Sequence, residues 1–195
     1  MHPDTATLLN RPLFDRLLPG LFEREGGARV VRDRADPGGV TKWGISLRWL
    51  KSQGALGDTD GDGDIDADDV AGLSREQAAD HYWRAYWLEP GWYTLPVHIG
   101  AKLLDIGVHA GARAAVRILQ RALCATGRTV IVDAVLGPQT RTAAQTAPSG
   151  LLKAMCSEQA AYYRELHTLN PKLDRFAGGW RRRADWQPSR EELER

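Results

Sequence analysis

The sequence predicts a mainly helical fold with a small β-hairpin near its start, and two observations carry that reading. Apolar residues recur at helical spacing in three separate stretches: Leu13, Leu17 and Leu21; Ala112, Val116, Leu119 and Leu123; and Leu152, Met155, Tyr162, Leu166 and Leu169. After the first of these, two short β-branched runs, Val30-Val31 and Val40-Thr41, flank Asp36-Pro37-Gly38-Gly39, which has the composition of a tight turn.

A chain of 195 residues can bury a proper core and suits one domain, or a domain with a small helical appendage. Its 26 basic and 25 acidic residues nearly cancel to a net charge of +1, which argues against a nucleic-acid partner. No apolar run approaches the roughly 20 residues of a bilayer span, and Met1 to Asp4 does not open a signal peptide. Cys124 and Cys156 make no metal-type pair and are expected as reduced core residues.

Residues Met1 to Arg11 lack periodicity and read as a loose lead-in. The first helix starts near Pro12, a residue suited to a first helical turn. Pro19-Gly20 either kinks this helix or divides it into two. Glu25 falls one turn beyond Leu21, and Gly26-Gly27 end the helix. Two carboxylates in different surroundings, Glu25 at a helix end and Asp36 in a polar loop, are what hydrolysis of a glycosidic bond uses: one gives a proton, the other stays ionised. Asp33 competes with Asp36 for the second role. Beyond the hairpin, Ile45, Leu47, Trp49 and Leu50 open a short helix that Gly54 ends. Trp43, just before it, either fills the core or stacks on a sugar ring.

The stretch Asp58 to Asp69, D-T-D-G-D-G-D-I-D-A-D-D, reads as a calcium loop. Asp58, Asp60, Asp62, Asp66 and Asp69 take the acidic loop positions, Asp64 is a further candidate ligand, Gly63 makes the sharp turn and Ile65 is the apolar anchor. So many carboxylates repel one another without a cation, and calcium, which takes about six to eight oxygens, resolves the conflict. Position 12 is Asp69 rather than Glu, so the loop resembles a dockerin-type loop, and a single copy reads as a structural clamp.

From Ser74, S-R-E-Q supplies a capping box for a helix that brings Tyr82, Trp83, Tyr86 and Trp87 onto one broad face, with the tryptophans expected inside. Pro96 opens a second helical region. Arg113, Arg117 and Arg121 recur beside the apolar stripe that follows, as a solvated face or one that meets an anionic envelope. A long helix runs from Leu151 to Leu169, Asn170-Pro171 stop it, and Gln187 to Arg195 read as a polar, frayed tail.

The string E-G-G, then D-P-G-G-V-T, then G-I-S resembles the signature of the family 108 glycoside hydrolases, which are lysozyme-like muramidases. The resemblance implies a lysozyme-like α+β fold, Glu25 as the catalytic acid, and Asp36 and Thr41 in the acidic and hydroxyl positions of the adjoining hairpin. The spacing of these three is wider than in phage-type lysozymes. Further on, L-Q followed by V-D-A-V-L-G-P-Q-T-R-T-A-A resembles a small helical peptidoglycan-binding domain, with His109 where that pattern usually has Asn and Ala134 where a Gly is common. F-A-G-G-W-R-R-R resembles the family's closing segment, in which Phe176 and Trp180 pack back on the helices. The expected organisation is a catalytic part over residues 1–95 with the calcium loop at 58–69, a helical peptidoglycan-binding-type part over 96–183, and a tail over 184–195. Trp43, Tyr82, Tyr86, Asp105 and His109 are the candidate substrate contacts.

These readings lead to an expected monomeric endolysin that cuts the glycan strand of peptidoglycan beside N-acetylmuramic acid, holds a structural calcium ion, and waits in a host cytoplasm until the membrane is opened. Lytic transglycosylase action, which needs one acid alone, is the nearest rival. A non-catalytic, calcium-dependent peptidoglycan binder is another.

Overall fold

Helix α1, Arg11–Arg24, is continuous through Pro19. Asp15, Pro19 and Glu23 all lie on its exposed side, so the missing N–H falls where water replaces it, and Phe14, Leu17, Leu18, Leu21 and Phe22 form the buried stripe. The computed structural model describes residues 11–32, 39–146 and 149–194; the Asp36-Pro37-Gly38 turn, Asp33 and the lead-in lie outside them. The fold is mainly helical with one three-stranded antiparallel sheet, a lysozyme-like α+β arrangement.

The flanks of the expected turn do pair: β1 (Val31–Arg32) runs antiparallel to β2 (Val40–Lys42), with Val31 opposite Thr41 and Arg32 opposite Val40. A further strand follows, β3 (Ile45–Ser46), with Thr41 opposite Ser46. Ile45 therefore belongs to the sheet and not to the helix behind it. Trp43 and Gly44 make the two-residue turn with φ of 55° and 76°, the paired positive φ of a type I′ hairpin. Ser46 caps α2 (Leu47–Ser52), its hydroxyl accepting from the Trp49 N–H at 3.2 Å.

A 3₁₀ turn over Gly54–Gly57 leads into the acidic loop and α3 (Ala67–Gly72). The capping box of α4 (Arg75–Tyr82) is formed, Gln77 N–H donating to the Ser74 hydroxyl at 3.0 Å and Ser74 N–H to Gln77 Oε1 at 2.8 Å. The chain then underwinds into a π segment, Trp83–Leu88, with Trp83 and Trp87 buried and Tyr86 half-buried. Contacts divide the chain into two compact units, one of Phe14–Arg84 and one that takes Ala85 onward.

In the second unit a 3₁₀ turn at Trp92–Thr94 precedes α5 (Val97–Ala110), α6 (Ala112–Ala125), α7 (Pro138–Gln145) and α8 (Leu151–Leu169). A second 3₁₀ stretch (Pro171–Phe176), α9 (Ala177–Asp185) and α10 (Arg190–Glu194) close it. Gly100 lets α5 press on the turn before it: a Cβ there would stand 2.8 Å from the Trp92 carbonyl oxygen. On α6, Val116, Leu119 and Leu123 are buried; Ala112 is exposed, as are Arg113 and Arg117, while Arg121 reaches Glu165 at 2.9 Å.

Helix α8 buries a different stripe from the expected one. Leu151, Met155, Gln159 and Tyr163 face inward, whereas Leu152, Tyr162 and Leu166 are half-buried and Leu169 is 82% exposed. A buried Gln interrupts the apolar pattern; its amide nitrogen donates to the Tyr163 hydroxyl at 3.0 Å, while its carbonyl oxygen has no hydrogen-bond partner among the described residues. Trp180 stacks on Tyr163 with ring centres 5.1 Å apart. Phe176 packs on Trp180 but remains exposed. Lys102, fully buried, donates to the carbonyls of Arg183, Ala184 and Trp186 at 3.2, 3.1 and 2.6 Å, capping the end of α9 with a charge. Both cysteines are free thiols; Cys124 lies exposed rather than in the core. The tail is not merely frayed, because Ser189 and Glu192 exchange hydrogen bonds at the start of α10.

Candidate active site

Glu25 sits on the turn that ends α1. Its N–H is shared between the carbonyls of Leu21 and Phe22 at 3.0 and 3.2 Å, and Gly27 N–H returns to the Phe22 carbonyl at 2.8 Å. Gly26 and Gly27 both adopt positive φ, the left-handed close that glycine permits. The hairpin tip is tied to this helix end, because Trp43 N–H donates to the Gly27 carbonyl at 2.9 Å.

The hairpin tip packs on the stem of the half-buried Glu25 and is itself braced by α1 and α4. Gly44 lies so close that a Cβ on it would stand 2.9 Å from Glu25 Cβ and 2.5 Å from the Tyr82 hydroxyl oxygen. From α4, that hydroxyl donates to the Trp43 carbonyl at 2.9 Å. Trp43 is half-buried, donates its indole N–H to the Leu73 carbonyl at 3.3 Å and packs on Phe22. Phe22 also meets the Tyr82 ring edge-on at 5.5 Å. A tryptophan held at φ 55° is strained, and its four anchors (one backbone bond, one indole bond, the Tyr82 bond and the Phe22 ring) hold it there. Thr41 occupies the middle of β2, half-buried between β1 and β3. Asp36, like its rival Asp33, lies outside the described residues.

Tyr82 is 1% exposed, which makes it a brace for the hairpin tip rather than a surface for substrate. In the second unit Asp105 is equally buried, with Arg183 Nε 3.9 Å from its carboxylate, so it too supports from inside rather than meeting a sugar directly. Tyr86 is half-buried in the π segment. His109 is exposed in the last turn of α5, its ring edge-on to Tyr163 at 5.6 Å.

The acidic loop brings its carboxylates together in two overlapping groups, Asp58 with Asp60 and Asp69, and Asp64 with Asp66 and Asp69, the oxygens of each group within 4.8 Å of one another. These are hard oxygen donors of the kind calcium takes. Asp69 is the shared and buried member; its oxygens accept from the N–H groups of Thr59 at 2.6 Å and Asp66 at 2.7 Å. Burial works to raise its pKa, but those bonds outweigh it and hold the carboxyl below the usual carboxylate range. The charge of Asp62, followed by lost solvation, pushes Asp64 up. Asp58 accepts from the N–H groups of Gly61 and Gly63 at 2.7 and 3.1 Å, and Asp62 from that of Asp64 at 3.0 Å. Beside the loop, Asp58, Thr59, Gln77, His81 and Arg84 bound a cavity of about 240 Å³. Burial, then the charge of Arg84, depresses the His81 pKa.

Gly44 entered the sequence reading only as the first residue of G-I-S, with no role given to it, and His81 was not singled out. Gly44 had a signal: a two-residue X-Gly between Thr41-Lys42 and Ile45 is a hairpin turn by spacing. His81 had none.

Residues 18–111 match the family model described as Glycosyl hydrolase 108, and residues 114–185 match the one described as Predicted Peptidoglycan domain. Among solved structures, the chain is similar to that of Brucella abortus SagA, at 28% identity over 88% of each chain and with a TM-score of 0.67. No curated protein matches it. Together these likenesses support a glycoside hydrolase that acts on peptidoglycan. No helix among the described residues is long and apolar enough to cross a membrane.

Proposed function

We propose that the protein is an N-acetylmuramidase of the lysozyme type, which hydrolyses the β-1,4 bond between N-acetylmuramic acid and N-acetylglucosamine and so lyses bacteria. The observation that supports this most is the setting of Glu25: a carboxylic acid at a helix end, its stem against a strained hairpin tip that a buried tyrosine braces, within the segment similar to glycosyl hydrolase 108. In this reading Glu25 protonates the leaving glycosidic oxygen. Asp36 activates the attacking water or stabilises the oxocarbenium-like state, and Thr41 helps to position that water. We propose further that it acts as a monomeric endolysin, held in the host cytoplasm until another protein opens the membrane.

We further infer that the loop Asp58 to Asp69 holds a calcium ion through Asp58, Asp60, Asp62, Asp66, Asp69 and the backbone of Asp64. The two carboxylate groups that share Asp69 support it. Calcium here clamps the segment between α2 and α4, and no step of the chemistry is assigned to it. Glu25→Gln is the test of the catalytic reading: the variant should fold with an unchanged melting temperature and clear no cell-wall suspension. Clearing at the wild-type rate would remove Glu25 from the mechanism.

A further inference from the structure

The second unit contains a larger cavity, of about 460 Å³, between α8 and α9. Tyr163, Arg164 and His167 wall it from α8, and Trp180, Arg181 and Asp185 from α9. Two guanidinium groups and an imidazole face one carboxylate, so the rim favours anions. Arg164 and Arg181 are both exposed, and their planar forks suit bidentate pairing with carboxylates. Trp180 already stacks on Tyr163 at 5.1 Å and on Phe176 at 6.1 Å. With Tyr163 it gives the cavity an apolar aromatic wall, a surface against which aliphatic chain can lie. Gln159 donates to the Tyr163 hydroxyl at 3.0 Å and so helps to fix that side chain.

We propose that this cavity is a binding site for the peptide stem of peptidoglycan, its free carboxylates held by Arg164 and Arg181 and its aliphatic side chains laid against Tyr163 and Trp180. The inference rests on the reading of the chain as a peptidoglycan hydrolase and adds to it a second point of recognition, for the peptide rather than the glycan. All six named residues lie within the segment similar to the peptidoglycan domain. Asp185 suits the amino group of the same stem, which makes the pocket complementary to a zwitterionic peptide rather than to a simple anion.

The test is calorimetric titration of the full-length protein with three probes: a free stem tetrapeptide, the same peptide with its carboxylates amidated, and a peptide-free chito-oligosaccharide. The free stem should bind, amidation should abolish binding, and Arg164→Gln with Arg181→Gln should weaken it by roughly 10- to 100-fold, the range for lost charged hydrogen bonds. Arg181→Lys should recover part of the loss, since the charge returns without the fork. Equal affinity for the amidated peptide, unchanged affinity in the double variant, or no stem binding at millimolar concentration would each overturn the site. Release of reducing ends from peptide-free glycan, measured on the same wild-type preparation, tests the hydrolase reading separately: a protein that binds stem and cuts no glycan keeps this site and loses that reading.

Discussion

Gly44→Ala puts the geometry around Glu25 under direct strain. The new methyl would sit 2.5 Å from the Tyr82 hydroxyl oxygen and 2.9 Å from Glu25 Cβ, distances that cannot persist, so one of the two groups must move. Alanine at φ 76° also pays for a left-handed backbone, about 1–2 kcal/mol. Overpacking adds about 1–3 kcal/mol, and a displaced Tyr82 gives up its bond to Trp43. A total near 3 kcal/mol lowers the melting temperature of a chain this long by roughly 10 °C. Gly54→Ala is the control, for Gly54 also has positive φ, 59°, but nothing within 4 Å of the added carbon; it should cost the backbone share alone, about 1–2 kcal/mol. Because a displacement of about 1 Å at a catalytic acid reduces rate on the order of 100-fold, Gly44→Ala should also lose lytic activity well beyond its loss of stability. Scanning calorimetry and turbidity clearing at a temperature where both variants stay folded provide the two readouts. A Gly44→Ala protein that melts with Gly54→Ala and clears at the wild-type rate would show that the hairpin tip does not position Glu25.

Lys102→Ala should destabilise the protein by about 3–5 kcal/mol in chemical denaturation, because three carbonyls at the end of α9 lose a buried cationic donor; a change under about 1 kcal/mol would mean that water replaces it. Burial pushes the Tyr163 pKa up to about 12 from its ordinary 10.0. A folded-state pKa raised in this way leaves its stabilisation intact below pH 10 and loses it as pH rises through 12. Spectrophotometric titration should therefore show one tyrosine ionising near 12 that disappears in Tyr163→Phe, and an ordinary titration near 10 would refute it. Calcium should raise the melting temperature, and Asp58→Ala with Asp60→Ala should abolish the rise while leaving hydrolysis at low temperature. Loss of activity on chelation with the fold intact would make calcium a regulator instead of a clamp.

Where one physical rule dominated, the sequence was readable. The repeat through Leu13, Leu17 and Leu21 placed α1, the Ser74 and Gln77 pair placed the start of α4, and β-branched residues around a turn placed the pairing of β1 with β2. Pro19 left two outcomes open that only packing decides, since its effect depends on which side of the helix it falls. The stripe of α8 was misread because Gln159 is polar yet buried, with its amide nitrogen bonded to Tyr163 in a contact that no periodicity reveals. The place of Glu25 at a helix end was legible from the helical stripe before it and the two glycines after it. Its surroundings were not: Gly44 reaches it, and the Tyr82 hydroxyl reaches the hairpin tip, across sequence separations that only the fold closes, and the tyrosine expected to touch substrate is buried as the brace of that tip.

The most direct measurement is mass spectrometry of peptidoglycan digested by the purified protein, with Glu25→Gln alongside. Hydrolysis beside N-acetylmuramic acid should give disaccharide-peptides ending in a reducing N-acetylmuramic acid, each carrying one added water, and the variant should give none. Products ending in an anhydro ring would assign the protein to the lytic transglycosylases. Free peptides with uncut glycan strands, or reducing products undiminished by Glu25→Gln, would contradict the role of Glu25 as the acid of a muramidase.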